Sequence, residues 1–344
     1  MPTISYYLNR SAATNVEEAI TTAKQHEAHH ALLHLTEARA RQRAELVDAG
    51  KITGRLAGVP FVVKDNFLAF DGPSTAASKI LENFEAPLQA TVVEKLEAEG
   101  AICIGKANLD SFAHGSSTEN SAFGLTKNAI DATKVAGGSS GGSAVAVKLG
   151  IVPFALGTDT GGSIRQPASF NGVVGVKPTY GMNSRFGVVA MASSTDVTGC
   201  FATTVEDAKL VTEIMSGQDV KDATTLPDYF KSTEQPAIGT LKIGVISDFM
   251  TDDTDSGVKA SVTSYIDKLK RAGHTISDVT LPMAKYSLPI YYIVVPAEVA
   301  SNLARYDGVR YGKRAADAHS LDELYGTSRD EGFVAESKLR IMIG

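Results

Sequence analysis

GVPFVVKDN, residues 58–66, is the segment from which the architecture of this chain can be worked out. The run from 59 to 63 is apolar and rich in β-branched residues, as a strand buried on both of its faces requires. It delivers Lys64, Asp65 and Asn66 where the strand ends, and α/β folds carry their chemistry at strand ends. The segment therefore predicts a short buried strand with a functional lysine just beyond it.

The segments around this strand alternate between helical and strand patterns. Residues 91–99, closed by Gly100, predict a helix, and AICIG at 101–105 predicts a buried strand. Residues 143–149 predict a short helix packed among strands. Upstream, residues 16–49 are rich in Ala, Glu and Arg and predict one long helix. This alternation predicts an α/β fold.

The domain organisation follows from the same patterns. We predict a single domain, made of an N-terminal helical segment at 1–50, a core carrying the catalytic residues at 51–215, a polar connector at 216–240, and a second part of the sheet with further helices at 241–344. Two prolines interrupt the connector. After it, LKIGVIS predicts a strand and residues 257–272 predict an amphipathic helix.

Composition and charge exclude several classes of function. The 344 residues are 43% hydrophobic, and the net charge of −6 comes with dispersed Lys and Arg, so no surface that tracks a polyphosphate is predicted. The N-terminus lacks a signal-peptide pattern, and no apolar run approaches the roughly 18 residues of a membrane span. The prediction is a cytoplasmic protein without membrane contact, in which Cys103 and Cys200 are buried free thiols.

Two Gly/Ser segments suggest the chemistry. Residues 137–143, GGSSGGS, lead directly into a helix, a pattern that often binds phosphate, but no lysine follows the last glycine as phosphate-binding loops require. A flexible linker is the other simple interpretation. Twenty-four residues after Ser139, the sequence TGGS ends at Ser163. Just before Ser163 come Thr160, Gly161 and Gly162, and the two successive glycines free the backbone to form an oxyanion hole. Ser163 is therefore a candidate nucleophile.

A serine nucleophile needs a base, and the histidines supply no obvious one. His26, His30 and His34 recur every four residues on the predicted first helix, which could form a metal-binding face, although a solvated helix surface is the simpler interpretation and we predict no metal. Lys64 is the remaining candidate. It acts as a base only when burial lowers its pKa by about 3 units, and Ser139 can then relay a proton between Lys64 and Ser163.

These residues lie in three segments, GVPFVVKDN, GGSSGGSAVAV and GTDTGGSIRQPA, that resemble the signature segments of the amidase signature family. The resemblance implies the amidase signature fold, a mixed twisted sheet flanked by helices on both faces, and a catalytic triad of Ser163, Ser139 and Lys64. It also implies a cis peptide bond between Gly138 and Ser139, with the backbone amides from Thr160 to Ser163 as the oxyanion hole.

Three more segments, SSTENSAFGLTKN, GVVGVKPTYGMNSRFG and EVASNLARYDGVRYGKR, are similar to the family's glutamine-hydrolysing amidotransferase subunits. This resemblance implies release of ammonia to the B and C partner subunits of a heterotrimer. A partner subunit would make most of the contacts with tRNA and would use ATP and Mg²⁺ to convert Glu-tRNA(Gln) or Asp-tRNA(Asn) to the amidated form. Arg340 and one of Tyr291 and Tyr292 would hold the glutamine. Members of the family continue beyond the equivalent of Gly344, so the expectation is a C-terminally incomplete domain.

Two other functions remain open at this stage. A stand-alone amidase acting on small carboxamides would use the same triad. A catalytically idle fragment that binds a partner would use none of it, and the abrupt end of ESKLRIMIG motivates this alternative.

Overall fold

The structure is a computed structural model that describes residues 1–227 and 239–344. The described residues form eight strands: β1 (Leu32–Leu35), β2 (Pro60–Lys64), β3 (Ile102–Ala107), β4 (Phe154–Asp159), β5 (Val174–Val176), β6 (Val197–Ala202), β7 (Lys242–Ile246) and β8 (Thr275–Val279). They also form eleven α-helices: α1 (Ile4–Leu8), α2 (Ala12–Gln25), α3 (Glu37–Asp48), α4 (Thr91–Ala98), α5 (Gly141–Lys148), α6 (Arg165–Asn171), α7 (Val205–Met215), α8 (Ser256–Arg271), α9 (Ser287–Leu303), α10 (Leu321–Gly332) and α11 (Ala335–Ile343).

Six of the strands form one mixed sheet in the order β1-β3-β2-β4-β6-β5. Strand β2 lies at its centre and runs parallel to both β3 and β4, whereas β1, β5 and β6 pair antiparallel with their neighbours. The predictions of a short buried strand leading to Lys64, of a helix and a strand at about 91–105, and of a mixed sheet are confirmed.

Helices cover both faces of this sheet because the central strands are apolar on both. In β2, Phe61 and Val63 belong to one buried cluster, which α4 and α7 also enter, while Val62 points into a second cluster with α2 and α5. Strand β4 divides in the same way between Phe154 and Ala155. Successive side chains of a strand point to opposite faces, so an all-apolar strand requires cover on both.

The prediction of one long helix over 16–49 is wrong. Helix α2 ends at Gln25, His30 adopts a left-handed φ of 52°, and β1 then pairs antiparallel with β3 before α3 begins at Glu37. Helix-forming residues fill the whole segment, but the open edge of β3 recruits Leu32–Leu35 into the sheet, and Thr36 fixes the turn by donating its hydroxyl to the Cys103 carbonyl at 2.9 Å. Tertiary pairing overrides local propensity here.

In the C-terminal part, the predicted strand and helix are present, but the strand does not continue the six-stranded sheet. The chain divides into two compact units, one of Met1–Phe230 with Val295–Gly344 and the other of Lys231–Val294. In the second unit, β7 and β8 pair parallel with each other and form a separate two-stranded sheet. The predicted connector at 216–240 lies partly outside the described residues. No helix of the described ranges is long and apolar enough to cross a membrane.

Candidate active site

Lys64 is the last residue of the central strand and is fully buried. The pleat places its side chain on the same face as Val62, the face that α5 covers. There the Lys64 Nζ donates to the Ser139 Oγ at 2.7 Å and to the Thr158 Oγ1 at 2.9 Å. The structure therefore brings together two residues that lie 75 positions apart in the sequence.

Burial lowers the pKa of Lys64 from its ordinary value of 10.5 to about 7. The carboxylates of Asp110, Asp196 and Asp159 act in the opposite direction but are the smaller effect. At neutral pH a large fraction of the amine is therefore unprotonated, the state that a general base needs.

The three carboxylates do not bond directly to the lysine because other groups hold them. Asp110 accepts from the amides of Thr118 at 2.9 Å and Asn120 at 3.1 Å. Asp196 accepts from the Thr160 hydroxyl at 2.7 Å, and Asp159 forms a two-pronged ion pair with Arg165 at 2.9 and 3.0 Å. Lys64 is thus surrounded by negative charge while its own hydrogen bonds go to hydroxyls.

Ser139 precedes α5 in the Gly/Ser segment, and the peptide bond between Gly138 and Ser139 is cis, as the family resemblance implies. Its hydroxyl accepts from Lys64, and its carbonyl accepts from the Asp110 amide at 3.2 Å. The next residue, Ser140, donates its amide to the Ser163 carbonyl at 3.2 Å. This bond ties the segment that carries Ser139 to the turn that carries Ser163.

Ser163 lies in the turn between β4 and α6, with 8% of its surface exposed. Gly162, just before it, has a φ of 132°, which only glycine adopts readily. The Gly162 amide donates to the Asp159 carboxylate at 2.7 Å. Among the described residues, no hydrogen bond joins the Ser163 and Ser139 hydroxyls. The predicted path of hydrogen bonds is therefore present from Lys64 to Ser139 and does not continue from Ser139 to Ser163.

Sequence reasoning missed Thr158 and the role of Asn66. The Thr158 Oγ1 accepts from both Lys64 and the Asn66 Nδ2, the latter at 3.1 Å, and so fixes the direction of the lysine side chain. Thr158 also lines a cavity of about 210 Å³ together with Asp196 and Ser193. The only signal for Thr158 in the sequence was its position five residues before Ser163.

A second lysine, Lys106, is also fully buried, but its hydrogen bonds indicate a structural role. Its Nζ donates to the carbonyls of Ala69 at 2.8 Å, Gly72 at 2.6 Å and Pro73 at 3.0 Å, and to the Ser74 hydroxyl at 3.2 Å. Carbonyls only accept hydrogen bonds, so this cage requires an ammonium, whereas the two hydroxyls around Lys64 can also donate to a neutral amine.

The residues predicted to hold the substrate lie in different units. Arg340, on α11, is 8% exposed, and its Nε donates to the Glu336 Oε1 at 2.7 Å. Tyr291 and Tyr292 lie on α9 within the second unit, where their rings meet edge to face at 5.4 Å. Their contact with glutamine stays a prediction.

The predicted alternative of a metal-binding histidine face is wrong. His34 lies on β1 and His30 in the turn before it, so the three histidines share no helix face. In residues 1–227 and 239–344, no group of three or more His, Cys, Asp or Glu side chains is placed to hold a metal ion.

Comparison with known sequences identifies the relatives of this chain. The sequence model of the amidase family matches residues 14–344. The A subunit of the glutamyl-tRNA(Gln) amidotransferase of Carboxydothermus hydrogenoformans is 52% identical over 309 residues, which are 89% of this chain and 64% of that protein. The corresponding protein of Nostoc punctiforme is 48% identical over 347 residues, 97% of this chain and 71% of that protein. The chain thus spans about two thirds of the length of these relatives.

Solved structures with the same fold point the same way. The crystal structure of the A subunit of the glutamyl-tRNA(Gln) amidotransferase from Thermotoga maritima has a TM-score of 0.78 and 40% identity, covering 91% of this chain and 67% of that one. A crystal structure described as an amidase has a TM-score of 0.81 and 32% identity, covering 98% of this chain and 70% of that one. The mixed α/β fold is therefore shared with both proteins.

Proposed function

The chain belongs to the amidase family, and from that membership we propose that it is a serine amidohydrolase acting on the carboxamide of glutamine. The observation that carries the proposal is the 2.7 Å contact between the buried Lys64 amine and the Ser139 hydroxyl. An unprotonated amine in this contact can accept a proton through Ser139, and an amine with a pKa of about 7 is unprotonated often enough to do so.

The reaction proposed is acyl transfer in two halves. Lys64 takes the proton of Ser139 as Ser139 takes the proton of Ser163, and the Ser163 Oγ attacks the carboxamide carbon. The proton then returns to the departing nitrogen, and ammonia leaves behind a γ-glutamyl ester on Ser163. Water hydrolyses this ester to glutamate by the same relay, so that glutamine and water give glutamate and ammonia.

The turn before Ser163 is proposed to stabilise the oxyanion. The backbone amides of Thr160 and Gly161 are the donors, and Gly162, whose own N–H is bonded to Asp159, contributes the left-handed turn that aims them. The Arg165–Asp159 ion pair supports this turn, because the Asp159 carboxylate also accepts from the Ile164 amide at 3.1 Å.

Substrate binding and biological context are proposed from the similarity to the amidotransferase subunits. Arg340 would bind the α-carboxylate of glutamine as a guanidinium fork does, and Tyr291 or Tyr292 would also hold the glutamine. We propose that the ammonia passes to B and C subunits of a heterotrimer in the cytoplasm. There the partner subunit contacts the tRNA and binds ATP and Mg²⁺ to convert Glu-tRNA(Gln) or Asp-tRNA(Asn) to the amidated product.

The test is glutamine-dependent ammonia release by the protein, alone and with its partner subunits, for the wild type and for Ser163→Ala. Ser143→Ala is the control, since Ser143 lies in the Gly/Ser segment that carries Ser139 but donates to the Leu156 carbonyl at 2.8 Å. We expect Ser163→Ala to abolish release and Ser143→Ala to retain it.

Other outcomes would redirect the assignment. Turnover of simple carboxamides with no turnover of glutamine would favour a stand-alone amidase. A folded protein whose Ser163 reacts with neither glutamine nor a fluorophosphonate probe, even in the complex, would favour a catalytically idle partner-binding protein.

A further inference from the structure

His114 occupies an unusual position between the catalytic segment and a distant helix. It is fully buried, and its Nδ1 lies 3.1 Å from the hydroxyl of Ser337, which is fully buried too. Its Nε2 is also buried and has no hydrogen-bond partner among the described residues. In either tautomer one ring nitrogen stays unpaired, which disfavours folding, so packing alone gives no reason for a histidine here.

On one side His114 connects to Ser139. The Asp110 amide donates to the Ser139 carbonyl at 3.2 Å, and the short 3₁₀ helix Ser111–Ala113 then leads to His114. Phe112 and Ala113 have left-handed φ values of 51° and 65°, which L-residues rarely adopt, so surrounding contacts must hold this backbone in place. A shift at His114 is therefore transmitted toward Ser139 rather than absorbed between them.

On the other side His114 connects to Arg340. Ser337 precedes Arg340 by three residues on α11, so the two side chains share one face of the helix. Burial and the nearby Arg340 guanidinium lower the pKa of His114 to about 3, which keeps the imidazole neutral beside that cation. The Phe112 ring lies 5.4 Å from the ring of Phe333, two residues before α11. It adds an aromatic contact between the 3₁₀ helix Ser111–Ala113 and the chain that leads into α11.

We propose that His114 is a positioning residue that, through Ser337, sets the distance between the nucleophilic serine and the Arg340 guanidinium. It thereby selects carboxamides that carry a carboxylate at the far end from the amide. The inference rests on the proposed function, because the distance affects binding and turnover only for a substrate that contacts both the serine and Arg340. The neutral imidazole acts here through the Ser337 hydroxyl and makes no contact with the reacting atoms.

The experiment compares His114→Phe, His114→Asn, Ser337→Ala and the double variant His114→Asn/Ser337→Ala in the full protein. Three quantities are measured: kcat and KM for glutamine, the rate at which a fluorophosphonate probe labels Ser163, and Tm. The probe has no carboxylate, so its rate reports the nucleophile alone. Ser328→Ala is the matched control, since Ser328 is a buried serine on α10 whose Oγ accepts from the Ala315 amide and not from His114.

We expect His114→Phe to lower kcat/KM for glutamine about tenfold, mainly through KM, with labelling within about twofold of the wild type and a small change in Tm. The change in Tm is small because phenylalanine removes the unpaired nitrogen but leaves the Ser337 hydroxyl without its histidine partner. His114→Asn, which keeps an amide near the Nδ1 position, should recover most of the loss when Ser337 is present and none of it in the double variant. Ser328→Ala should lower Tm without changing the ratio of glutamine turnover to labelling.

The outcomes separate this inference from the proposed function. Glutamine kcat/KM unchanged in His114→Phe and Ser337→Ala, with an active wild type, overturns the inference alone. Parallel loss of glutamine turnover and labelling also overturns it, because His114 would then support the nucleophile. A wild type that is labelled but does not hydrolyse glutamine overturns both. If His114→Phe does not fold, the contrast between His114→Asn and the double variant decides the question.

Discussion

Lys64 and Lys106 are both fully buried, but replacing each by methionine should change the free energy of unfolding in opposite directions. Lys64→Met should abolish acylation of Ser163 and raise the free energy of unfolding at pH 7. Lys106→Met should leave the triad in place and lower the free energy of unfolding. Methionine fills a similar volume without a charge, so the two variants differ mainly in what the amine bonds to.

The magnitude for Lys64 follows from its pKa. A fall from 10.5 to about 7 on folding disfavours the folded state by about 5 kcal/mol at pH values up to about 7, at about 1.4 kcal/mol for each pKa unit. Methionine removes this cost but loses hydrogen bonds to Ser139 and Thr158, worth about 1 to 1.5 kcal/mol each. The net expectation is about 2 kcal/mol of stabilisation at pH 7.

For Lys106 the balance reverses. The carbonyls of Ala69, Gly72 and Pro73 lose their donor, and each buried acceptor left unpaired costs about 1 to 3 kcal/mol. Removing one partner of a buried polar network is strongly destabilising in general. We expect Lys106→Met to lose at least about 3 kcal/mol.

The assay is urea unfolding at several pH values, alongside fluorophosphonate labelling of Ser163. Because folding lowers the pKa of Lys64, its cost is full below pH 7, shrinks as pH rises toward 10.5, and is absent above. The advantage of Lys64→Met over the wild type should shrink over the same window. A Lys64→Met variant that is less stable than the wild type at pH 7, or that still labels at the wild-type rate, would refute the assignment of Lys64 as a buried, neutral base.

Three further predictions test the same site. The rate of Ser163 labelling should rise with pH around a midpoint near 7, because Lys64 is active when deprotonated, and a rate that falls through this range would contradict the relay. Thr158→Val removes the hydroxyl shared by Lys64 and Asn66 at nearly constant shape, and should lower kcat for glutamine about tenfold with KM within about twofold; an unchanged kcat would make Thr158 merely structural. A Cβ added at Gly162 meets no atom within 4 Å, but the φ of 132° at this position is strained for alanine. Gly162→Ala should therefore lower the free energy of unfolding in urea by about 1 to 3 kcal/mol and slow the labelling of Ser163. Gly326→Ala, inside α10 with equal space, is the control and should raise the free energy of unfolding by about 0.5 to 1 kcal/mol.

Several elements of the fold could be predicted from the sequence because their signals are local. The apolar run before Lys64 could only be a strand covered on both faces, and Gly100 ended the helix that follows it. The N-terminal segment could not be predicted in this way. Leu32–Leu35 form a strand because β3, some 70 residues later, offers an unpaired edge, and no window of local sequence contains that edge.

The site divides along the same line. The proposal of Lys64, Ser139 and Ser163 as a triad came from the sequence, since a candidate serine nucleophile that follows two glycines and has no obvious histidine partner calls for a lysine base. The tertiary structure alone decided which carboxylates surround that lysine and that Thr158 and Asn66 orient it. It also decided that His114 contacts Ser337, 223 residues away in the sequence. Residue type sets what a side chain can do chemically, but desolvation and hydrogen-bond partners are properties of the packed chain, and they make Lys64 suited to act as a base while Lys106 remains a cation.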